Sequence, residues 1–168
     1  MKYITGTLIL LLMTTYANSQ NKAVSSVDLA RYSGKWYSLS SIPTMMDKNW
    51  RETVENYTLN KKGEFDVLTT YRKIDDPGQR EISSKLFPGA NSTMGDMKAQ
   101  FFWPFKISYR IIELADDYSY TVIGHADRKY LFIMSRTPSM DPKLFKEIVA
   151  RCKASGYETS KLVSQDHK

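Results

Sequence analysis

The sequence predicts an all-β protein: an eight-stranded antiparallel up-and-down barrel with a C-terminal amphipathic α-helix packed on the outside. Eight short runs of alternating apolar and polar residues follow one another with turn residues between them, which is typical of a barrel or a sandwich. Gly34-Lys35-Trp36-Tyr37 opens the first run and Arg136 closes the last. A helical period appears only after the eighth run.

The pair formed by Trp36 and Arg136 favours the barrel over the sandwich. An indole at the start of the first strand and a guanidinium at the end of the last can meet only if the sheet closes on itself. A guanidinium over an indole face gains roughly 0.5–2 kcal/mol. We therefore expect Trp36 to close one end of the barrel beneath Arg136.

The strands are assigned from the alternation and from the turn residues between the runs. A short turn at residues 27–32 precedes the first strand. Turns are predicted at residues 61–63, 75–78, 88–91 and 116–117, where Gly, Pro, Asn and Asp are concentrated. The predicted strands are residues 34–42, 53–59, 64–72, 80–87, 94–102, 107–114, 118–125 and 130–136.

A helix is predicted after the last strand. Its apolar stripe is Leu144, Phe145, Ile148, Val149 and Cys152, and this spacing is that of one helix face. Asp141 suits the N-cap, Pro142 the first position and Gly156 the stop. Packing on the barrel wall explains this short, capped helix better than insertion into a membrane.

Residues 1–19 are predicted to be a signal peptide. Lys2 precedes an apolar stretch centred on residues 8–12, and Ala17-Asn18-Ser19 offers small residues for cleavage before Gln20. The stretch is shorter than the about 20 residues that span a bilayer; the alternative is an uncleaved N-terminal anchor. Residues 20–168 would form one exported domain, periplasmic or secreted. No Cys lies near the cut, so a lipidated N-terminus is not expected.

The charge and the cysteine content limit the classes of binding partner and the covalent cross-links that we expect. The formal net charge of +6 comes from scattered Lys and Arg, which argues against nucleic acid and fits an anionic ligand or membrane surface better. Cys152 is the single cysteine, so an intrachain disulfide is excluded although an exported compartment would permit one.

The motifs resemble those of the lipocalin family. Gly34-Lys35-Trp36-Tyr37 is similar to the first lipocalin motif, Gly-x-Trp, and Arg136 to the third. The second motif, often Thr-Asp-Tyr, is matched by Asp116-Asp117-Tyr118. Gly34, Trp36, Asp117, Tyr118 and Arg136 are therefore assigned as structural motif residues.

The resemblance covers nearly the whole mature chain and is most specific for one branch. Trp36-Tyr37, Ile42-Pro43-Thr44, Phe105 and residues 131–138 are similar to the branch of bacterial lipocalins and apolipoprotein D. It implies that the barrel binds a small hydrophobic ligand, most simply a fatty acid or lysophospholipid, for transport, storage or membrane-lipid maintenance. It also implies a short extra strand within residues 157–163.

Alternation assigns one face of each strand to the barrel interior. With Trp36 at the closed end, Ser38, Ser40 and Ile42 would face inward; the seventh strand stays unoriented, and Tyr57 and Glu55 are assigned mainly by resemblance. Small residues beside large ones favour a cavity over a filled core. The predicted ligand-binding residues are Ile42, Tyr57, Phe65, Val67, Thr69, Met97, Phe101, Tyr109, Ile111, Tyr130 and Phe132.

The loops at the open end combine apolar residues with cations. The predicted rim residues are Glu55, Lys48, Arg51, Lys106 and Arg128. The cations would receive an anionic head or contact a membrane surface. Glu55 would pair with one of them or receive the amine of a zwitterionic head; the alternative is a solvated carboxylate at the strand's end.

A catalytic or cofactor site is not predicted. The two histidines are His125 near the mouth and His167 in the tail, and neither forms a metal-ligand pattern. Cys152 lies on the apolar face of the helix, where a thiol is usually inert. We predict a binding protein without metal or cofactor; the alternative is a lipocalin-type enzyme, or a haem- or metal-dependent barrel that uses His125.

Overall fold

The computed structural model describes residues 21–89 and 95–167. Its strands are β1 Gly34–Ile42, β2 Trp50–Leu59, β3 Phe65–Lys73, β4 Asp76–Phe87, β5 Asp96–Phe102, β6 Phe105–Leu114, β7 Tyr120–Gly124, β8 Leu131–Ser135 and β9 Val163–Ser164. Helix α1, Leu29–Tyr32, precedes β1, and helix α2, Pro142–Ala154, follows β8. The predicted signal peptide and its cut before Gln20, turn residues 90–91 and Met94 lie outside the described residues.

The first eight strands form a closed antiparallel barrel, as predicted. Each strand pairs with the next, and β1 pairs with both β2 and β8. Trp36 lies opposite Glu55, and Tyr37 opposite Ser135. The short β9 adds to the edge of β1, with Ser40 opposite Ser164, so the extra strand implied by the resemblance is present but begins at Val163.

Some predicted boundaries are wrong, for local reasons. β4 begins at Asp76, inside the turn predicted at residues 75–78. Asp76 already pairs with Lys73, and its carboxylate accepts the Gly78 N–H at 2.9 Å. β7 begins at Tyr120 because Tyr118 has a φ of 62°, which is incompatible with an extended strand.

Two apolar cores lie on opposite sides of the barrel wall. The inner core surrounds Trp36, Tyr57 and Met97. The outer core joins Ile148 and Cys152 of α2 to Val122, Leu131 and other residues of the barrel wall. This places α2 on the outside, as predicted. The Asp141 carboxylate caps it through the Leu144 N–H at 2.9 Å, and Gly156 follows its end with a φ of 89°.

A β-bulge changes which β1 residues face inward. The β1–β8 register shifts between Ser38 and Ser40, and an extra residue in a strand reverses the alternation beyond it. Ser41 lies opposite Phe132, while Ile42 lies opposite Leu131 in the outer core. The predicted inward orientation of Ile42 is therefore wrong. The Ser40 hydroxyl, also predicted inward, donates to the Val163 carbonyl of β9 at 3.1 Å.

Candidate functional site

The closed end of the barrel is built on Trp36, which is fully buried. Its indole N–H donates to the Tyr32 carbonyl at 2.9 Å, and the Arg136 guanidinium lies 3.7 Å from the centre of its rings. Arg136 also donates to the carbonyls of Lys35 at 2.9 Å and Arg31 at 2.6 Å. The predicted meeting of the first and last strands is confirmed.

Gly34 gives Arg136 room to reach these carbonyls. Its φ is 97°, and a Cβ there would lie 3.4 Å from Arg136 Nη1. A side chain at this position would therefore be strained in its backbone and tight against the guanidinium.

Asp117 and Tyr118 complete the closed end from the turn between β6 and β7. The Tyr118 hydroxyl accepts the Asp28 N–H at 2.8 Å, and the Arg31 guanidinium lies 4.1 Å from its ring centre. The Asp117 carboxylate accepts the Ser119 N–H at 2.9 Å; hydrogen bonding to Ser119 lowers the pKa of Asp117. These contacts tie α1 to the barrel end.

A cavity of about 90 Å³ lies inside the barrel above this end. It continues into a mouth groove of about 650 Å³, and the two share Thr44, Met46, Ala99, Phe101 and Tyr130 among their walls. The inner cavity is lined by Thr44, Met46, Asp47, Trp50, Thr53, Glu55, Tyr57, Val67, Thr69, Ser84, Leu86, Ala99, Phe101, Ile107, Ser108, Tyr109, Ile123, Tyr130, Phe132 and Met134.

Many of the predicted ligand-binding residues lie on this wall: Tyr57, Val67, Thr69, Phe101, Tyr109, Tyr130 and Phe132. Phe65, Met97 and Ile111 are fully buried in the inner core, below the cavity. They face inward as predicted, but the structure places them in the packed floor. Ile42 lies in the outer core and does not reach the cavity.

Sequence reasoning missed several wall residues. Ser84 and Leu86 of β4 and Ile123 of β7 face the cavity, although β4 had no assigned inner residues and β7 no orientation. Alternation along β4 could have identified Ser84 and Leu86, since they are two residues apart and therefore face the same side of the strand. For β7 the useful signal is the outer core, because Val122 packs under α2 and its neighbour Ile123 must face inward.

A chain of hydroxyls leads from the closed end to a carboxyl on the cavity wall. The Tyr32 and Tyr109 hydroxyls are 2.8 Å apart, and those of Tyr109 and Tyr57 are 2.9 Å apart. The Tyr57 hydroxyl donates to Oε2 of Glu55. Burial raises the pKa of Glu55, against the opposing effect of the Tyr57 hydrogen bond. Burial also raises the pKa values of Tyr57 and Tyr109.

Glu55 is thus an interior residue rather than a rim residue. It lies directly opposite Trp36, so both side chains are on the inner face at the same level. The prediction that placed it at the mouth, whether pairing with a rim cation or solvated at the strand's end, is wrong.

The structure does not bring the predicted rim cations together on the cavity. The Arg128 guanidinium donates to the Ser155 carbonyl at the end of α2 at 2.6 Å. Lys106 Nζ lies 3.5 Å from the centre of the Phe87 ring. Lys48 borders an adjoining groove rather than the inner cavity, and Arg51 lies opposite Arg72 in the β2–β3 register. Among the described residues, no Lys, Arg or His lines the inner cavity.

A second carboxyl lies on the cavity wall near the open end. Asp47 accepts the Thr44 N–H at 2.6 Å, and the Thr44 hydroxyl as well. Burial raises the pKa of Asp47, opposed by these Thr44 hydrogen bonds. The stacked rings of Trp50 and Tyr71, 3.7 Å apart, lie on the same side of the mouth.

The open end exposes large apolar side chains. Met45 is 88% exposed, Trp103 86% and Phe105 74%. Met45 and Phe105 border the mouth groove, together with His125 and Lys129. Exposed apolar groups that are contiguous at one end of a protein mark an interaction surface.

His125 borders the mouth groove, and Cys152 lies in the outer core on α2. The His125 ring accepts the Asp127 N–H at 3.0 Å, and burial lowers its pKa. Cys152 is 2% exposed, and burial raises its pKa to about 12. No group of three or more His, Cys, Asp and Glu within residues 21–89 and 95–167 could hold a metal ion.

Comparison with known proteins identifies the family. The sequence profile of the lipocalin-like domain matches residues 27–167. The chain belongs to the lipocalin family. Its relatives place it in the branch of bacterial Blc proteins and apolipoprotein D, which confirms the resemblance seen in the motifs.

Two curated relatives and one solved structure illustrate this lipocalin's similarity. Outer membrane lipoprotein Blc of Vibrio cholerae is 28% identical over 143 residues, covering 84% of each chain. Temperature-induced lipocalin-1 of Arabidopsis thaliana is 31% identical over 150 residues, covering 84% of this chain and 80% of its own length. Insecticyanin from the tobacco hornworm Manduca sexta matches the fold with a TM-score of 0.70 at 16% identity, covering 88% and 84% of the chains.

Proposed function

We propose that this lipocalin binds a single long-chain amphiphile, a fatty acid or a lysophospholipid, and carries or stores it, with a role in membrane-lipid maintenance. The observation that supports the proposal is the largely apolar cavity that continues into an apolar mouth groove. Burying a tail yields roughly 0.8 kcal/mol per CH₂, against an association cost of roughly 4–15 kcal/mol. The tail therefore sets the affinity.

Isothermal titration calorimetry with lysophospholipid tests the carrier function. We expect saturation near one ligand per chain. Ala99→Trp would fill the space shared by the cavity and the mouth groove and should abolish binding. Ser83→Trp, which puts the same side chain on an exposed outward position of β4, is the matched control and should bind normally. Absence of saturable binding by any long-chain amphiphile would rule out the function.

The carrier function is favoured over an enzymatic one by the state of Cys152. A thiol with a pKa near 12 is almost wholly protonated at neutral pH and is a poor nucleophile. We expect a thiol reagent to label folded protein far more slowly than urea-unfolded protein. Equally fast labelling would reveal an accessible, reactive cysteine and revive the enzyme alternative.

The open-end loops would bring this carrier to an anionic membrane surface. Met45, Trp103 and Phe105 are exposed apolar groups, and Lys48 and Lys106 are near them in the sequence. No helix in the described ranges is long and apolar enough to cross a bilayer. Cosedimentation with phosphatidylglycerol vesicles should exceed that with phosphatidylcholine vesicles and should fall with added salt. Trp103→Asp should reduce it, and equal binding to both vesicle types would refute the charge contribution.

Export to the periplasm or secretion accords with the envelope location in the name of the Vibrio cholerae relative. The N-terminal residues 1–19 supply the signal-peptide pattern. Intact mass measurement of protein from periplasmic and medium fractions should find a chain that begins at Gln20. A chain beginning at Met1 in the cytoplasm would contradict this proposal.

A further inference from the structure

We propose that Glu55 forms an acidic subsite at the floor of the barrel, which selects amphiphiles ending in a protonated amine over fatty acid anions. This inference rests on the proposed carrier function and narrows its ligand class: of the amphiphiles named there, it favours a lysophospholipid whose head carries an amine and disfavours a fatty acid. The sequence predicted cations around the open end. The structure instead places a carboxyl at the floor of the barrel and, among the described residues, no basic side chain on the inner wall.

The free oxygen of Glu55 is the first observation. Oε2 accepts the Tyr57 hydroxyl, whereas Oε1 has no hydrogen-bond donor among the described residues. Glu55 lines the cavity, so Oε1 is available to a bound molecule. Because Glu55 faces Trp36 across the β1–β2 pair, a ligand group that reaches it has passed most of the length of the cavity.

The missing counter-charge is the second observation. Within the described part of the chain, the inner wall carries two carboxyls, Glu55 and Asp47, and no basic side chain. The groups that influence Glu55 are Tyr57 and Asp47, besides its burial. A carboxylate held away from water without a cation is destabilised. A ligand ammonium would provide the opposite charge and a charge-assisted hydrogen bond.

The direction of the tyrosine hydrogen bonds is the third observation. If Tyr57 gives its proton to Glu55, its oxygen accepts from Tyr109, and Tyr109 in turn accepts from Tyr32. All three hydroxyl protons then point towards the carboxylate, and none of them remains to receive a ligand anion. A fatty acid carboxylate would meet two carboxyl groups and no basic side chain on the wall, and it would receive none of these three hydroxyl protons.

The open end matches the tail of such a ligand. The mouth groove is bordered by the apolar side chains of Met45, Met46, Phe102 and Phe105, with His125 and Lys129 on the same border. An amphiphile that enters with its amine first places the ammonium at Glu55 and leaves its alkyl chain along the apolar upper wall and mouth.

Three ligands with the same dodecyl tail test the inference: dodecylamine, dodecanoate and dodecanol, titrated calorimetrically at about pH 7.5. We expect wild-type protein to bind dodecylamine at least about tenfold more tightly than dodecanoate, a difference of ~1.4 kcal/mol. Glu55→Gln keeps the size of the side chain and should remove most of this preference while leaving dodecanol affinity within about twofold. Glu81→Gln, an equal charge change at an exposed position, should leave all three affinities unchanged.

The outcomes separate the inference from the carrier function. If dodecanol binds and dodecanoate binds as tightly as dodecylamine, the acidic subsite is wrong and carriage stands. If the amine preference survives in Glu55→Gln, the selectivity arises elsewhere and the assignment to Glu55 is wrong. If none of the three dodecyl ligands binds, the subsite is refuted, and the lysophospholipid titration decides the carrier function separately. The wild-type comparison needs no variant, so it holds even if Glu55→Gln folds poorly.

Discussion

The two ends of the barrel are built on opposite principles. At the closed end, Trp36 is fully buried, and Arg136 covers its indole while donating to backbone carbonyls of neighbouring segments. At the open end, Trp103 is 86% exposed, and its large apolar neighbours border a groove rather than a core. The same residue type therefore supports the fold at one end and is exposed to solvent at the other.

This contrast explains how a small barrel keeps a cavity and remains stable. Packed side chains and satisfied polar groups at one end hold the strands in register. The other end can then expose apolar surface and leave space inside. Substitutions of the packed residues at the closed end and of the exposed residues at the mouth should therefore have different consequences for stability.

Trp36→Ala should produce the largest loss of stability. Removing a fully buried indole leaves a void at the floor and an uncovered guanidinium, so the free energy of unfolding should fall by roughly 3–5 kcal/mol. Urea denaturation followed by circular dichroism measures this. A neutral Trp36→Ala variant would show that the closed end does not hold the barrel together.

Arg136→Ala should have the next largest effect, about 2–3 kcal/mol. It removes the stacking on Trp36 and the charge-assisted hydrogen bonds to the carbonyls of Arg31 and Lys35. Arg136→Lys keeps a cation but loses the planar donors, and its loss should be intermediate. Equal losses for the two variants would mean that the forked geometry is the whole contribution and the charge over the indole adds nothing.

Glu55→Gln should stabilise the protein at neutral pH and not at acid pH. Burial raises the pKa of Glu55, so between its ordinary value of about 4.3 and the folded value the folded state binds more protons than the unfolded state. In that window this carboxyl makes stability fall as pH rises. The gain from Glu55→Gln should shrink as pH approaches 4.3, as measured by urea denaturation at several pH values. A loss of stability that is independent of pH would contradict the burial of an ionised group.

Trp103→Ala should change stability least, by less than about 0.5 kcal/mol. The side chain is mostly exposed, so little apolar surface returns to water when it is removed. The same urea denaturation that measures Trp36→Ala measures this variant, which makes it the matched control for the closed end. A loss approaching that of Trp36→Ala would mean that the mouth is also part of the packed core.

The architecture could be predicted because it depends on periodic and paired signals. Alternation located the eight strands, Asp141 and Gly156 located the ends of α2, and Trp36 with Arg136 required closure. Each of these signals is local in the sequence or fixed by a single geometric condition. The start of β1 and the position of α2 were therefore correct.

The site was harder to predict because small irregularities have large effects on it. The bulge after Ser38 turned Ile42 from the interior to the outer core, and nothing in the residue types announces an inserted residue. The charged side chains were predicted to lie at the rim because they belong to, or lie next to, the open-end loops. Arg128 instead binds the end of α2, where the Ser155 carbonyl accepts its guanidinium N–H. Glu55 was assigned to the rim, although its opposite neighbour, Trp36, places it at the floor.

Closure through β1 has a consequence for how the chain acquires its structure. β1 finds its neighbour β2 within a few tens of residues, but its other neighbour is β8, where Tyr37 pairs with Ser135. Contacts between such distant parts of the chain form slowly. Before β8 is synthesised and paired, the strands can form only an open sheet with two unpaired edges. Such edges can pair with other chains. Until β8 pairs with β1, the strand edges of this chain are therefore open to pairing with other chains.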